Sequence, residues 1–153
     1  MSQRSSVRRL ALLLLASAAI TLAALAVAAT SGAATPRERA LELVAMTHES
    51  FAAIARGRPA PFDWSTDGCS RTPHSWARRF EGPCRQHDFG YRNIGRGLRL
   101  WRSEVARLWI DGRFLTELRR VCAARFAGVP LTSCRAQAGA MHIAVRVFNA
   151  PWS

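Results

Sequence analysis

The chain has 153 residues, 22 basic and ten acidic side chains and a formal net charge of +12 at pH 7; every basic residue is arginine. That length holds one domain around a single core, and the charge favours anionic partners, phospholipid surfaces or nucleic acid, without choosing between them. No internal repeat is present, and no low-complexity tract beyond an N-terminal apolar run, which excludes repeat arrays.

Arg4, Arg8 and Arg9 precede that run, Leu10 to Ala29, and small residues follow at Ala26-Val27-Ala28 and Gly32-Ala33-Ala34. A basic start, an apolar stretch and small residues at candidate cleavage points predict a secretory signal peptide over 1–34 and an exported domain over 35–153. The run is also long enough to serve as an uncleaved membrane anchor. Residues 35–153 keep 19 of the 22 basic side chains and all ten acids, a net charge of +9.

Four helical stretches and no strand are predicted, so the domain is all-α. Thr35-Pro36-Arg37-Glu38 is a capping box with proline at the first helical position. Leu41, Val44, Phe51 and Ile54 then carry an apolar stripe until Gly57 and Pro59 end it. Residues 58–82 hold Pro59, Pro61 and Pro73 and no helical period, which predicts a long loop of the kind that carries function. Pro83 opens a short helix that Gly95 closes after Ile94. A third helix spans about Ser103 to Arg125. Ser133 caps the last, whose apolar face is Ala136, Ala140, Ile143, Ala144, Val147 and Phe148.

All four cysteines, Cys69, Cys84, Cys122 and Cys134, lie in the exported part. An even number in an oxidising compartment implies two disulfides, with three pairings open. Pairing in sequence order closes two short loops, each worth about 3 kcal/mol in the chain-entropy model. Cys84-x-x-His87 has the spacing of half a zinc site, but no second pair stands at ligand spacing.

Within the short helix Cys84, His87 and Tyr91 lie at i, i+3 and i+7, on one face, while Asp88 points about 100° away. In the third helix the stripe is Val105, Leu108, Leu115, Leu118 and Cys122, and Asp111 stands where it should continue. A buried carboxylate needs a donor, and His87 is the natural candidate. Asp67-Gly68 immediately precedes Cys69. A Cys69–Cys84 bridge would bring Asp67, the loop carbonyls and Asp88 to one point, and oxygen ligands of that kind suit calcium. His48, His74 and His142 have no comparable setting. Tryptophans exposed beside Arg78, Arg79, Arg102 or Arg107 would suit a lipid interface.

Phe62-Asp63-Trp64-Ser65-Thr66-Asp67-Gly68-Cys69, Cys84-x-x-His-Asp-Phe-Gly-Tyr-Arg-Asn93, Ile110-Asp111 and Arg120-Val121-Cys122 together resemble the bacterial secreted phospholipase A2 family. The resemblance runs in order from about Phe62 to Cys134. It implies bridges Cys69–Cys84 and Cys122–Cys134 and a bundle with two antiparallel helices carrying the histidine and the aspartate. It further implies His87 as general base, Asp111 as its orienting carboxylate and Tyr91 as a brace. The calcium ligands fall on the side chains of Asp67 and Asp88 and the carbonyl of Gly68, where the family carries a bulkier residue.

The function expected on this resemblance is a secreted, calcium-dependent hydrolase that cleaves the sn-2 ester of glycerophospholipids at a membrane or micelle surface. It is expected to be a monomer with no specific nucleic-acid partner. The alternative is a catalytically silent cationic protein that binds or lyses membranes on the same scaffold.

Overall fold

The computed structural model describes residues 33–149, Pro151 and Trp152, so the signal-peptide prediction lies outside the described residues. All regular structure among the described residues is helical, as expected. The elements are α1 (Pro36–Ala45), α2 (His48–Ala55), α3 (His74–Gly90), a single π-helical turn (Tyr91–Gly95), α4 (Glu104–Arg125) and α5 (Gly128–Phe148).

The predicted capping box opens α1. Thr35 Oγ1 accepts from Glu38 N at 3.2 Å, and Thr35 N donates back to Glu38 Oε2 at 2.8 Å. The first helix is not continuous to Gly57, however. It breaks at Met46, where the backbone is extended, and Thr47 caps a new helix by accepting from Ser50 N at 3.2 Å. A break of this kind strands carbonyls inside the fold. The buried Gln86 amide meets three of them, lying 2.9 Å from Leu43 O, 3.3 Å from Val44 O and 3.0 Å from Met46 O. Arg113 adds a bond to Met46 O at 3.2 Å.

Two other boundaries differ from expectation. α3 begins at His74, so the loop ends earlier and Pro83 sits buried inside the helix instead of opening it. The ring removes one ladder bond, to the carbonyl of Arg79. The Cys69–Cys84 bridge and the burial of Phe80 and Cys84 hold that turn in place. α5 begins at Gly128 and not after Ser133, with Pro130 in the first turn, where backbone N–H groups have no helical partner to lose. The predicted apolar face of α5 points outward: Ile143, Val147 and Phe148 are 63%, 69% and 79% exposed. Cys134, Ala138 and Met141 face the core instead, because the Cys122–Cys134 bridge fixes the rotation of the helix.

The stripe of α4 is also displaced. Val105 and Leu108 are exposed, and the inward face is Ala106, Ile110, Phe114, Leu118, Val121 and Cys122, interleaved with buried Arg107, Asp111 and Glu117. Those charges mask the period. Two clusters make up the core. In one, Leu43, Val44, Phe51, Phe89, Ile94 and Ile110 join α1, α2, α3, the π turn and α4. In the other, Phe80, Phe114, Leu118, Val121 and Met141 join α3, α4 and α5. Gly90 allows the close approach of α3, since a Cβ there would lie 2.9 Å from Ile110 Cγ2 and 3.3 Å from Val44 Cγ2.

Partners along α3 and α4 run in opposite order: Phe80 and Cys84 share a cluster with Leu118 and Val121, His87 meets Phe114 and Asp111, and Gly90 meets Ile110. The two helices are therefore antiparallel. The disulfides pair as the resemblance implied, Cys69 with Cys84 and Cys122 with Cys134, at Cα separations of 5.3 and 5.6 Å.

The C-terminal end is fastened to the start of α4. Glu104 takes two bonds from Arg107, each 2.7 Å, one from Arg146 at 3.2 Å and one from the backbone N–H of Trp152 at 3.2 Å. Trp152 is buried edge-on to Tyr91, with ring centroids 4.9 Å apart. All five tryptophans are buried or half-buried, so none is the exposed lipid-facing ring expected from the sequence, and Arg107 is itself buried.

Two predictions follow from these contacts. Replacing Gln86 by alanine leaves the stranded carbonyls without their donor, and should lower stability by about 2–4 kcal/mol; this is read as a reduced denaturant midpoint at unchanged slope. The bonds from Arg107, with those from Trp152 and Arg146, hold the Glu104 carboxyl down to about 2, against an ordinary 4.5. A depressed carboxyl contributes stability above its unfolded value and loses it as pH falls through the folded one. The Tm gap between the wild type and Glu104→Gln should therefore be constant above about pH 5 and close between pH 4.5 and 2.

Candidate active site

α3 brings His87 to the inner face of the bundle and α4 brings Asp111 opposite it. His87 Nε2 lies 2.9 Å from Asp111 Oδ1, and the carboxylate is fully buried. The imidazole ring is held between Tyr91, 4.4 Å between centroids, and Phe114, 4.5 Å. Tyr91 OH also donates to Asp111 Oδ1, at 2.9 Å. Burial, reinforced by the charge of Asp111, pushes the Tyr91 phenol far above its usual value, so it stays a donor. Sequence reasoning placed His87, Asp111 and Tyr91 together, and the structure does the same.

Burial alone would push the Asp111 carboxyl upward. The bonds from His87, Arg146 and Tyr91 outweigh it and hold the group below its ordinary value, hence ionised. An ionised Asp111 accepting from Nε2–H sets the histidine tautomer and leaves Nδ1 unprotonated. Among the described residues Nδ1 has no hydrogen-bond partner, so it is free to take a proton.

The loop after α2 approaches the other side of the motif. Asp88 Oδ2 accepts from the Thr66 hydroxyl, and from the backbone N–H groups of Asp67 and Gly68 at 3.1 Å each. Gly68 has φ of +64°, a left-handed conformation natural to glycine. Asp67 Oδ1 accepts from Arg92 Nη2 at 3.1 Å. Two anchors fix this loop. The Cys69–Cys84 bridge ties one end to α3. At the other, buried Asn93 accepts from Asp63 N at 2.8 Å and donates to Asp63 O and Phe89 O at 2.9 Å each. Phe89, next to Asp88, packs against Trp64, Phe51 and Phe62 at centroid distances of 4.6, 5.3 and 5.4 Å.

Two carboxylates stand at this loop, Asp67 within it and Asp88 against it from α3. Burial first, then the neighbouring charge of Asp67, pushes the Asp88 carboxyl above its usual value. In Asp67 burial works the same way, but the Ser70 hydroxyl, its own backbone N–H and Arg92 more than offset it. Both carboxylates offer the oxygen ligands that calcium takes, but Asp88 is met by backbone N–H groups of the loop and Asp67 by Arg92, so a calcium ion would have to replace those donors.

A second cluster, His48, Glu49 and Glu117, brings its ligand atoms within 4.8 Å of one another. It reads as structural. Glu117 already accepts from the His48 backbone at 3.1 Å, lies 3.0 Å from its ring, and takes Arg113 at 3.0 Å and Arg120 at 3.2 Å. A cation there would displace two guanidinium groups.

Sequence reasoning missed Arg146, Gln86 and Glu117. Arg146 Nη1 donates to Asp111 Oδ2 at 3.0 Å from 35 residues away, and nothing in the pattern of the last helix marks it. Gln86 stands between Arg85 and His87, where its amide passes for a surface group. Glu117 could have been found as Asp111 was, as an acid on the inward face of α4.

Known proteins resemble this chain in sequence. A model of the prokaryotic phospholipase A2 family matches residues 42–149, which contain every residue of the site. A secretory phospholipase A2 of Beauveria bassiana (strain ARSEF 2860) is 33% identical over 92 residues, 60% of this chain and 46% of that protein. One of Arthroderma benhamiae (strain ATCC MYA-4681 / CBS 112371) is 36% identical over 93 residues, 58% of this chain and 60% of that protein. The chain thus spans about half the length of the curated relatives it matches. With the helical fold, the two bridges and the match over most of its length, the chain belongs to the prokaryotic phospholipase A2 family.

Proposed function

We propose that this protein is a secreted, calcium-dependent phospholipase A2 that hydrolyses the sn-2 ester of glycerophospholipids to a lysophospholipid and a fatty acid. The observation that carries the reading is the 2.9 Å contact of His87 Nε2 with a buried, ionised Asp111, beside a loop closed on Asp88. Two disulfides fit an oxidising compartment. Among the described residues no helix is long and apolar enough to cross a membrane.

In this mechanism His87 Nδ1 accepts a proton from a water molecule as its oxygen attacks the sn-2 carbonyl carbon. General-base assistance of this kind is worth about 10²–10⁴ in rate. Asp111 stabilises the imidazolium that forms, and Tyr91 and Phe114 keep the ring in plane. His87 then returns the proton to the leaving glycerol oxygen, breaking the ester bond. Asp67, Asp88 and the Gly68 carbonyl would hold calcium. When bound, the ion supplies positive charge for the substrate phosphate and for the carbonyl oxygen. The outward residues Val105 and Leu108 of α4 and Ile143, Val147 and Phe148 of α5 offer apolar contact to a lipid surface. They take the role that the sequence had suggested for tryptophan.

The test is hydrolysis of a phosphatidylcholine carrying different acyl chains at sn-1 and sn-2, with products identified by mass spectrometry. The sn-2 chain should be released with calcium and not with chelator. Asp88→Asn should raise the calcium needed by about tenfold or more, since a charged ligand is lost. Release indifferent to chelator would sink the calcium assignment. Absence of release by folded, bridged protein would leave a membrane-binding scaffold as the better account.

A further inference from the structure

The buried carboxylate of Asp111 is asymmetric. Oδ1 receives His87 and Tyr91, each at 2.9 Å, while Oδ2 receives Arg146 Nη1 at 3.0 Å, with Arg107 Nη1 farther off at 3.8 Å. Arg146 Nη2 also donates to Glu104 Oε1 at 3.2 Å. The guanidinium therefore spans two carboxylates seven residues apart, on one face of α4. It comes from the last helix and is about one-quarter exposed, while Asp111 is fully buried.

We propose that Arg146 is a positioning residue of the catalytic dyad, holding Asp111 Oδ2 so that Oδ1 is presented to His87. The proposal rests on the phospholipase reading for its catalytic consequence, but not for its geometry. Without a donor on Oδ2 the carboxylate could rotate about Cβ–Cγ, and either oxygen could face the imidazole. A donor fixed to a second acid removes that freedom. Arg107 does not hold Oδ2 in the same way. Its Nε and Nη2 go to Glu104 at 2.7 Å each, and its Nη1, which donates to Asn149 O at 3.3 Å, stands beyond hydrogen-bond distance from Asp111 at 3.8 Å. Lysine cannot reproduce the bridge, because one ammonium nitrogen does not match a planar fork reaching two acceptors.

The test compares wild type with Arg146→Met and Arg146→Lys on a short-chain phosphatidylcholine kept below its micelle threshold, at saturating calcium. This keeps surface binding out of the measurement. In Arg146→Met, kcat should fall by about 10–100-fold, the scale of a small misplacement of catalytic groups, with KM unchanged. Added methylguanidinium should restore part of the rate, since the vacated site opens to solvent. Arg146→Lys should lie between wild type and Arg146→Met. A raised KM with unchanged kcat would overturn the proposal and make Arg146 a substrate-phosphate contact. An unchanged kcat would overturn it outright.

A second reading needs no activity. The His87 Nε2–H proton, bonded to Asp111, should give a downfield nuclear magnetic resonance signal in the wild type. That signal should be lost or exchange-broadened in Arg146→Met, whose other resonances stay in place. Its persistence unchanged would overturn the positioning role even in an active enzyme. Its loss in a protein that hydrolyses no phospholipid would uphold the positioning and refute the phospholipase reading.

Discussion

The burial of one carboxylate organises this molecule. Asp111 has no exposed surface, so its charge must be met inside the protein. His87 from α3, Tyr91 from the π turn and Arg146 from α5 converge on its two oxygens. Two stretches distant in sequence, α3 with the π turn that follows it and α5, are thereby brought to one point on α4. The C-terminal fastening through Glu104 and Trp152 holds the arginine side of that arrangement, and the stacking of His87 between Tyr91 and Phe114 holds the other. What packs the bundle also sets the tautomer and aim of the histidine.

The loop that would carry the cation is secured by different means. A disulfide binds one end, Asn93 and an aromatic cluster bind the other, and Asp88 gathers the backbone between them. Asp88 is thus a structural acceptor in this arrangement and also a proposed ligand. His87 and Asp88 are adjacent in the chain yet look toward different partners, one into the bundle and one toward the loop. A helix supplies that divergence, since neighbours along it point about 100° apart.

Much of this was legible in the sequence where chemistry broke a pattern. Asp111 interrupts an apolar stripe, His87 shares a face with a cysteine, and the capping box at Thr35 marks a helix start. What failed did so for physical reasons. Pro83 reads as a helix start by propensity, but a bridge and a buried neighbour hold it within α3. α5 has apolar residues on more than one face, and the Cys122–Cys134 bridge, the packing of Met141 and the bonds of Arg146 select the buried one. The break between α1 and α2 is marked by Thr47 and Ser50, yet it is tolerated because Gln86 and Arg113 reach it from other helices. Arg146 was invisible for the same reason. Its partner is set by the tertiary fold, and an arginine near a helix end is ordinary on local grounds.

The most direct test of the central claim, that the His87–Asp111 pair activates water for ester hydrolysis, is fatty-acid release from phosphatidylcholine vesicles by wild type and His87→Ala in calcium. Both proteins should first be shown to have the same helical content and both disulfides. The wild type should release fatty acid, and His87→Ala should lose at least about 10² of the rate. A folded His87→Ala protein that hydrolyses at the wild-type rate would contradict that claim.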